Sequence, residues 1–442
     1  MEFFYKKVVN SNSTSQQLTS NPMKPIGIYL FLFFLSTIAI NAQVKVDAEL
    51  RPRFEFRHGF QSLFPDDADP SAFISQRTRL NAAYKNEYLN FYLSVQDIRV
   101  WGDVPQLNRA DRNGFGVHQA WGELLFSPEF SLKLGRQLLS YDDQRIFGGV
   151  GWAQQARSHD AAVMKYKKGK SSFHVGAAFN QDGEANLNNI LTTNTYKSLQ
   201  YGWFHQDWDG VSASFLFLNN GLQFIDAFDA DNHETRFSQT VGTHLKGSEE
   251  KLGWMANLYY QFGKDIGDND LSAYLLALEA SYKVEPKWSL ILGGELLSGN
   301  DNGAPSNGEN KAFTPFYGTN HKFNGLMDYF FVGNHASNVG LLDVYVGSVI
   351  GLGEKTSLSG RIHNFSAAAD LAATDSKQLG VEADFVLNYN FKKDVNIKAG
   401  YSHLFASEGM EFLKNNFDDN SNYWGWVMIT IKPTLFQTNL DQ

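Results

Sequence analysis

From Val44 onward the apolar residues of this chain recur at every second position, and the connections between such runs alternate between short and long over the rest of its length. Val44, Val46, Ala48 and Leu50 alternate with Lys45, Asp47, Glu49 and Arg51. A period of two sends the two sets to opposite faces of a β-strand, leaving one face oily and the other ionic. Trp254, Ala256, Leu258, Tyr260 and Phe262 make a second such face, and Leu379, Val381, Ala383, Phe385, Leu387 and Tyr389 a third. No helical period of similar strength competes with them.

Short turns fall near 85–87, 127–129, 168–170, 209–210, 246–251, 285–287, 353–355 and 392–394. Long loops run over about 58–72, 102–116, 140–158, 181–197, 219–234, 263–270, 298–340, 366–377 and 406–421. Eight turns and nine loops separate 18 strands, with both ends of the sheet on the short-turn side. A soluble sandwich has no reason to sort its connections this way. An outer-membrane barrel does, and an open edge in lipid would leave N–H and C=O groups unpaired. The expected fold is all-β: a transmembrane antiparallel β-barrel of about 18 strands, with short periplasmic turns and long extracellular loops, in the outer membrane of a diderm bacterium. Aromatic residues beside the turns (Tyr84 and Tyr88, Phe126 and Phe130, Tyr166 and Phe173, Tyr282 and Trp288, Tyr389 and Phe391) suit an interfacial girdle. Residues 197–208 and 356–365 alternate weakly. In the third strand Asp97 and Arg99 keep the parity of Leu89, Phe91, Leu93 and Val95, which predicts a bulge near Gln96 or emergence from the lipid.

Residues 1–42 read as a secretory signal. Lys24 precedes an apolar stretch from Ile26 to Ile40, followed by Asn41-Ala42-Gln43, so cleavage after Ala42 leaves a barrel over 43–442. The polar stretch before Met23 suggests that translation starts at Met23. Fifteen apolar residues fall short of a membrane-spanning helix, and a mean hydropathy of -0.33 excludes a helical membrane bundle. The absence of cysteine excludes a disulfide scaffold, and a formal charge of -9 argues against nucleic acid as a partner.

Function should then reside on the inward face. Lipid exposure of Arg or Lys at mid-depth costs about 2 to 4 kcal/mol, so Lys45, Arg51, Arg53 and Arg57 should face inward or lie beyond the bilayer, and their parity, opposite to that of Val44 to Leu50, agrees. Arg77 and Arg79 share a face of the second strand; Arg99, Arg136 and Arg361 follow, accompanied by Glu49, Glu55, Asp97, Glu123, Glu279, Glu382 and Asp384. Such a set can cross-brace a wide barrel, or leave arginines underpaired at a constriction that admits polyanions. Loop 140–158, with its glycines, Arg145, Trp152 and Arg157, could fold inward. Loop 298–340, with Asp301, His321, Asp328 and His335, could form a lid; loop-bound Ca²⁺ is a weaker reading, since EF-hand spacing is absent. No cofactor is expected.

Gln76-Arg-Thr-Arg-Leu80, Gln96-Asp-Ile-Arg-Val-Trp-Gly102, Gly135-Arg-Gln137, Tyr141-Asp-Asp-Gln-Arg-Ile-Phe-Gly148 and Gly318-Thr-Asn-His-Lys-Phe-Asn-Gly-Leu-Met-Asp328 resemble the alginate export family, as do Gly294 to Asp301 and Leu379 to Asp384. The resemblance spans most of the chain after the signal. It implies an 18-stranded outer-membrane barrel whose arginine-rich pore passes alginate, a polyuronate, with Arg77, Arg79, Arg99, Arg136 and Arg145 in matching motifs. Arg51 and Arg53 rest on parity alone.

The leading expectation is a non-enzymatic outer-membrane channel for anionic polysaccharides, oligosaccharides or similar anionic solutes. Its expected partners are that solute, outer-membrane lipid and periplasmic export proteins. Two other classes stay open: a plugged receptor or adhesin barrel, and a lipid-modifying barrel enzyme built on His244, His363 or His403.

Overall fold

A computed structural model describes residues 42–107, 114–187, 189–229, 231–303, 307–330, 338–372, 374 and 376–438; the signal segment up to residue 41, and His335 of the longest loop, lie outside them. Among the described residues 18 long strands form one sheet: β1 (Gln43–His58), β2 (Ser71–Lys85), β3 (Leu89–Val100), β4 (Gly116–Leu125), β5 (Phe130–Gln137), β6 (His159–Lys168), β7 (Ser171–Phe179), β8 (Tyr196–Asp207), β9 (Val211–Ile225), β10 (His233–Glu249), β11 (Leu252–Lys264), β12 (Asp270–Glu285), β13 (Trp288–Leu297), β14 (Leu341–Gly351), β15 (Thr356–Ser366), β16 (Gln378–Lys392), β17 (Val395–Ala406) and β18 (Asn422–Ile431). Each pairs antiparallel with the next, and β18 returns to β1, with Phe54 opposite Val427 and Arg57 opposite Trp424. The sheet is therefore a closed barrel, as the alternating connections require. Two short pieces are added. Thr434–Gln437 continues β18 along β1 beyond Pro433, and Glu309–Asn310 runs parallel to the start of β12. One short helix, α1 (Glu408–Lys414), lies in the last long loop.

Parity separates the two faces of the wall. Leu50, Phe54, Leu80, Phe91, Leu258, Tyr260, Leu276, Leu278, Leu292, Val346 and Phe385 are exposed on the outside, where lipid would cover them. Tyr88, Phe126, Phe130, Tyr166, Phe173, Tyr282, Trp288 and Phe391 are exposed at the turn-side ends, as the girdle requires.

The inward face is less uniform than the sequence suggests. Segment 138–158 turns into the barrel and buries Leu139, Ile146 and Phe147 against Tyr201, Leu199 and Leu218. One flank of the interior is thus a packed apolar core. That explains the weak alternation at 197–208: in β8 the inward residues Leu199, Tyr201 and Trp203 are apolar, whereas the outward row holds Ser198, Gln200 and Gly202 beside Phe204. In β15 a glycine, Gly360, interrupts the outward row between Leu358 and Ile362. The irregularity expected near Gln96 lies between Ser94 and Val95, and the unpaired extra residue is His118 of the neighbouring β4. Asn219, Asn220 and Gly221, read as loop, belong to β9, which extends to Ile225 alongside an equally tall β10.

Candidate functional site: two inward loops and the vestibule beneath them

Four of the arginines singled out by sequence stand in adjacent rows on the inner faces of β1 and β2, because residues two apart share a face and Arg51 pairs with Arg77 across the ladder. All four meet the inward segment. Arg51 donates to the carbonyl oxygens of Gly151 (2.7 Å), Trp152 (3.1 Å) and Ala153 (3.2 Å) and to Gln154 Oε1 (2.9 Å). Arg53 donates to the carbonyl of Trp152 (2.7 Å), Arg77 to that of Gln154 (3.2 Å) and Arg79 to that of Gln155 (3.3 Å). Arg53 is also paired with Glu55 at 2.8 Å, and Arg77 with Glu49. These guanidinium groups fasten a loop by its backbone; they do not stand free over open water. A run of carbonyls is a natural partner for them, since guanidinium carries five donors and no acceptor.

A second segment, near 312–330, enters from the opposite side and is held by acids. Leu326 N–H donates to Asp384 at 3.2 Å and Met327 N–H to Glu382 at 2.9 Å. Gly325 has φ +82°, and a Cβ there would meet the Glu382 carboxylate, so the approach requires glycine. Asp384 also accepts from Ser402, and His363 lies between Asp343 (2.9 Å) and Asp384 (3.7 Å). Arg145 joins both loops to the wall: its fully buried guanidinium pairs with Glu295 and donates to Asn324 (3.0 Å) and Asn320 (3.3 Å). Arg157 donates to the carbonyl of Gly318 at 3.1 Å, and burial lowers its pKa from the ordinary arginine value. Lys322 reaches the carbonyl of Asp143 at 2.8 Å; burial lowers its pKa too, against the favourable field of Asp143.

Other sequence candidates stand elsewhere. Asp97 and Arg99 keep the parity of Val95 and Leu80, opposite to Arg79 and Gln96, and form an ion pair at 2.7 Å on the outer side of the wall near its loop end. Arg136 has the parity of Leu132 and Leu134 and pairs with exposed Asp160 at 2.8 Å, again on the outer side. The reason is the same for both: each pair sits near the loop-side end of its strand, away from the mid-depth of the wall where an outward charge costs most. Glu123 does face inward, and it binds Lys165 (3.0 Å) and Ser131 (2.8 Å) near the turn side.

Beneath the loops two cavities open toward the turn-side half. The first, about 600 Å³, is lined by Trp152, Trp426, His321, Lys322, Arg361 and Lys398 among others. The second, about 490 Å³, is lined by Asp142, Asp143, His244, Lys246, Glu279, Lys322 and Arg361 among others. Lys322 and Arg361 border both. Trp152 and Trp426 meet edge-to-face with centroids 4.7 Å apart, and Arg361 lies 4.9 Å from the Tyr345 ring while bonding Glu279 at 3.0 Å. Cations beside aromatic faces suit a solute that carries both charge and apolar C–H surface. Lys322, Lys398, Lys246 and Trp426 were missed as site residues. For Lys398 the signal was present, since it alternates with Ile397 and Ala399; for Lys322 there was only the motif 318–328 that contains it, because a loop has no parity.

Residues 42–426 match the alginate export family. The chain belongs to that family. No curated protein matches the sequence significantly. Among solved structures, Acinetobacter baumannii OccAB4 is similar over 89% of this chain and 98% of that one, with a TM-score of 0.60 at 12% identity. Pseudomonas aeruginosa OccK3 (OpdO) is similar over 92% and 100%, at 0.59 and 11%. The outer membrane protein opdK of P. aeruginosa is similar over 88% and 98%, at 0.57 and 13%. At such identities the likeness establishes the barrel fold. This member of the alginate export family is accordingly an outer-membrane channel, a transport barrel and not an enzyme.

Proposed function

We propose that this barrel conducts anionic saccharides, alginate-like polyuronates or their oligomers, across the outer membrane. The observation that carries the reading is the vestibule cavity in which Lys322, Arg361 and Lys398 stand beside Trp152 and Trp426. Ammonium and guanidinium groups bind carboxylates, while the indole faces offer a surface to the C–H side of a sugar ring. In this reading Arg51, Arg53, Arg77, Arg79, Arg145 and Arg157 are positioning residues that hold the constricting loop, and Glu382 and Asp384 position the second. Asp97, Arg99 and Arg136 have no contact with the solute. The N-terminal segment serves as the export signal.

Planar-bilayer recording tests the proposal. The expected result is an anion-selective conductance that a uronate oligomer blocks. Cation preference together with indifference to the oligomer would overturn it. The packed core between segment 138–158 and the wall favours a second reading, a receptor barrel closed by its own loops, whose signature would be a folded protein with no conductance.

A further inference from the structure

Four inward lysines of the turn-side half stand at one level. Lys133 in β5, Lys165 in β6, Lys246 in β10 and Lys398 in β17 each lie three residues in from the turn-side end of their strand. Cross-strand register fixes their direction: Lys133 is opposite Glu123, Lys246 opposite Ser212 and Met255, and Lys398 opposite Asn388 and Met428, all on the inner face. Lys165 is neutralised by Glu123 at 3.0 Å. Among the described residues the other three have no hydrogen-bond or ion-pair partner; Lys133 rests over the Trp121 ring at 3.7 Å. Lys246 and Lys398 open into the two different cavities beneath the loops.

The opposite end of the barrel has the other sign. Leaving aside the two inward segments, the described residues within loops 59–70, 101–115, 180–195, 226–232, 265–269, 298–311, 367–377 and 407–421 carry eighteen Asp and Glu against three Lys. Of these lysines, Lys311 and Lys377 are already paired, with Glu309 at 3.5 Å and Asp370 at 2.7 Å. The net charge of -9 therefore conceals an axial separation: an acidic outer rim, and an inner collar in which Lys133, Lys246 and Lys398 make no direct ion pair among the described residues.

We propose that Lys133, Lys246 and Lys398 form a capture collar, so that the channel takes up anionic solutes from the short-turn, periplasmic mouth more readily than from the loop side. The proposal rests on the anionic-saccharide reading and adds to it the residues and the side that recognise the solute. Low-dielectric walls focus the field of the collar into the lumen, whereas the rim raises the energy of the same solute at the loop-side mouth and so lowers its capture rate from there. The asymmetry acts on capture rates; net flux still follows the gradient. It should weaken as ionic strength rises, since screening at 0.1 M acts over about 10 Å.

Single-channel recording tests it whichever way round the barrel inserts into the bilayer. A purified tri-uronate is added first to one compartment and then to the other. The expected result is block from one side at about a tenfold lower concentration, within the range that electrostatic steering supplies. The variant K133Q/K246Q/K398Q should lose that difference and also lose the current rectification seen in symmetric dilute KCl. Heat-modifiable gel migration identifies variants that fold. Equal block from both sides in the wild type, or an asymmetry that survives the triple substitution, would overturn the collar. If the oligomer blocked from neither side, the saccharide reading would fail, and rectification in KCl would still decide the collar: its loss in the variant supports the collar, its persistence overturns it.

Discussion

Arg53 holds Trp152 in two ways at once: its guanidinium lies 4.0 Å from the centre of the indole ring, and it donates to the carbonyl oxygen of the same residue at 2.7 Å. A wall residue thereby fixes both the backbone and the side chain of Trp152 in the inward loop, and Trp152, together with Trp426, presents an aromatic face to the vestibule cavity.

Arg53→Ala should therefore loosen segment 150–155 and leave fully buried Glu55 with Arg57 as its remaining cation partner. Losing a charge-assisted hydrogen bond costs about 1.5 to 3 kcal/mol. Unitary conductance should rise and become noisier, and amide exchange at 150–155 should accelerate while the strands stay protected. Unchanged conductance and exchange would show that the loop is held without Arg53.

Arg145 and Glu295 make a different kind of tie, because both are buried between two loops and the wall. Removing one member of such a pair costs about 3 to 5 kcal/mol, whereas replacing both by apolar groups is often nearly neutral. Arg145→Met alone should expose the amides of 144–148 and 318–327 to exchange. The double variant R145M/E295L should restore most of the protection. Equal loss in the single and double variants would deny the pairing.

The contrast between these residues and their reading in the sequence has a physical cause. Strand count, closure, turn positions and the inward direction of Arg51, Arg53, Arg77 and Arg79 were legible because a period of two and the cost of charge in lipid act locally. What Arg51 touches was not, because Gln154 lies 103 positions away and the segment between folds back through the lumen. Asp97, Arg99 and Arg136 were misplaced for a related reason. Charge alone suggests inward parity, but it forces an inward direction only where lipid is present, and these residues stand near the loop-side ends of their strands. The family motifs at 141–148 and 318–328 marked the segments that hold one another, in agreement with Thr319 N–H donating to the Gln144 carbonyl at 2.9 Å.

Lys414, the last residue of α1, donates to the carbonyl of Tyr329 at 3.0 Å, and burial lowers its pKa to about 8. An unfolded lysine titrates near 10.4, so between about pH 8 and 10.4 the unfolded state binds more protons and stability rises with pH. Below pH 8 both states are protonated and the burial penalty is complete. Attachment of the 407–421 loop, followed by protease cleavage at its exposed end, should tighten across that window. Lys414→Met should remove the dependence. A loop whose cleavage rate is flat from pH 8 to 10.4 in the wild type would contradict the assignment.

The outward pairs give the sharpest discrimination between position and residue type. Arg136 and Asp160 are both exposed, and pairs of that kind contribute about 0 to 1 kcal/mol. Arg136 also lies outside the lumen, so Arg136→Gln should leave ion selectivity and oligouronate block unchanged, although it removes a charge from a family motif. Lys398→Gln removes a charge of the same sign from outside any such motif and should reduce anion preference, because its ammonium faces the vestibule cavity. Reversal potentials under a KCl gradient compare the two variants directly. A larger shift for Arg136→Gln than for Lys398→Gln would mean that the register places the solute path on the wrong side of the wall.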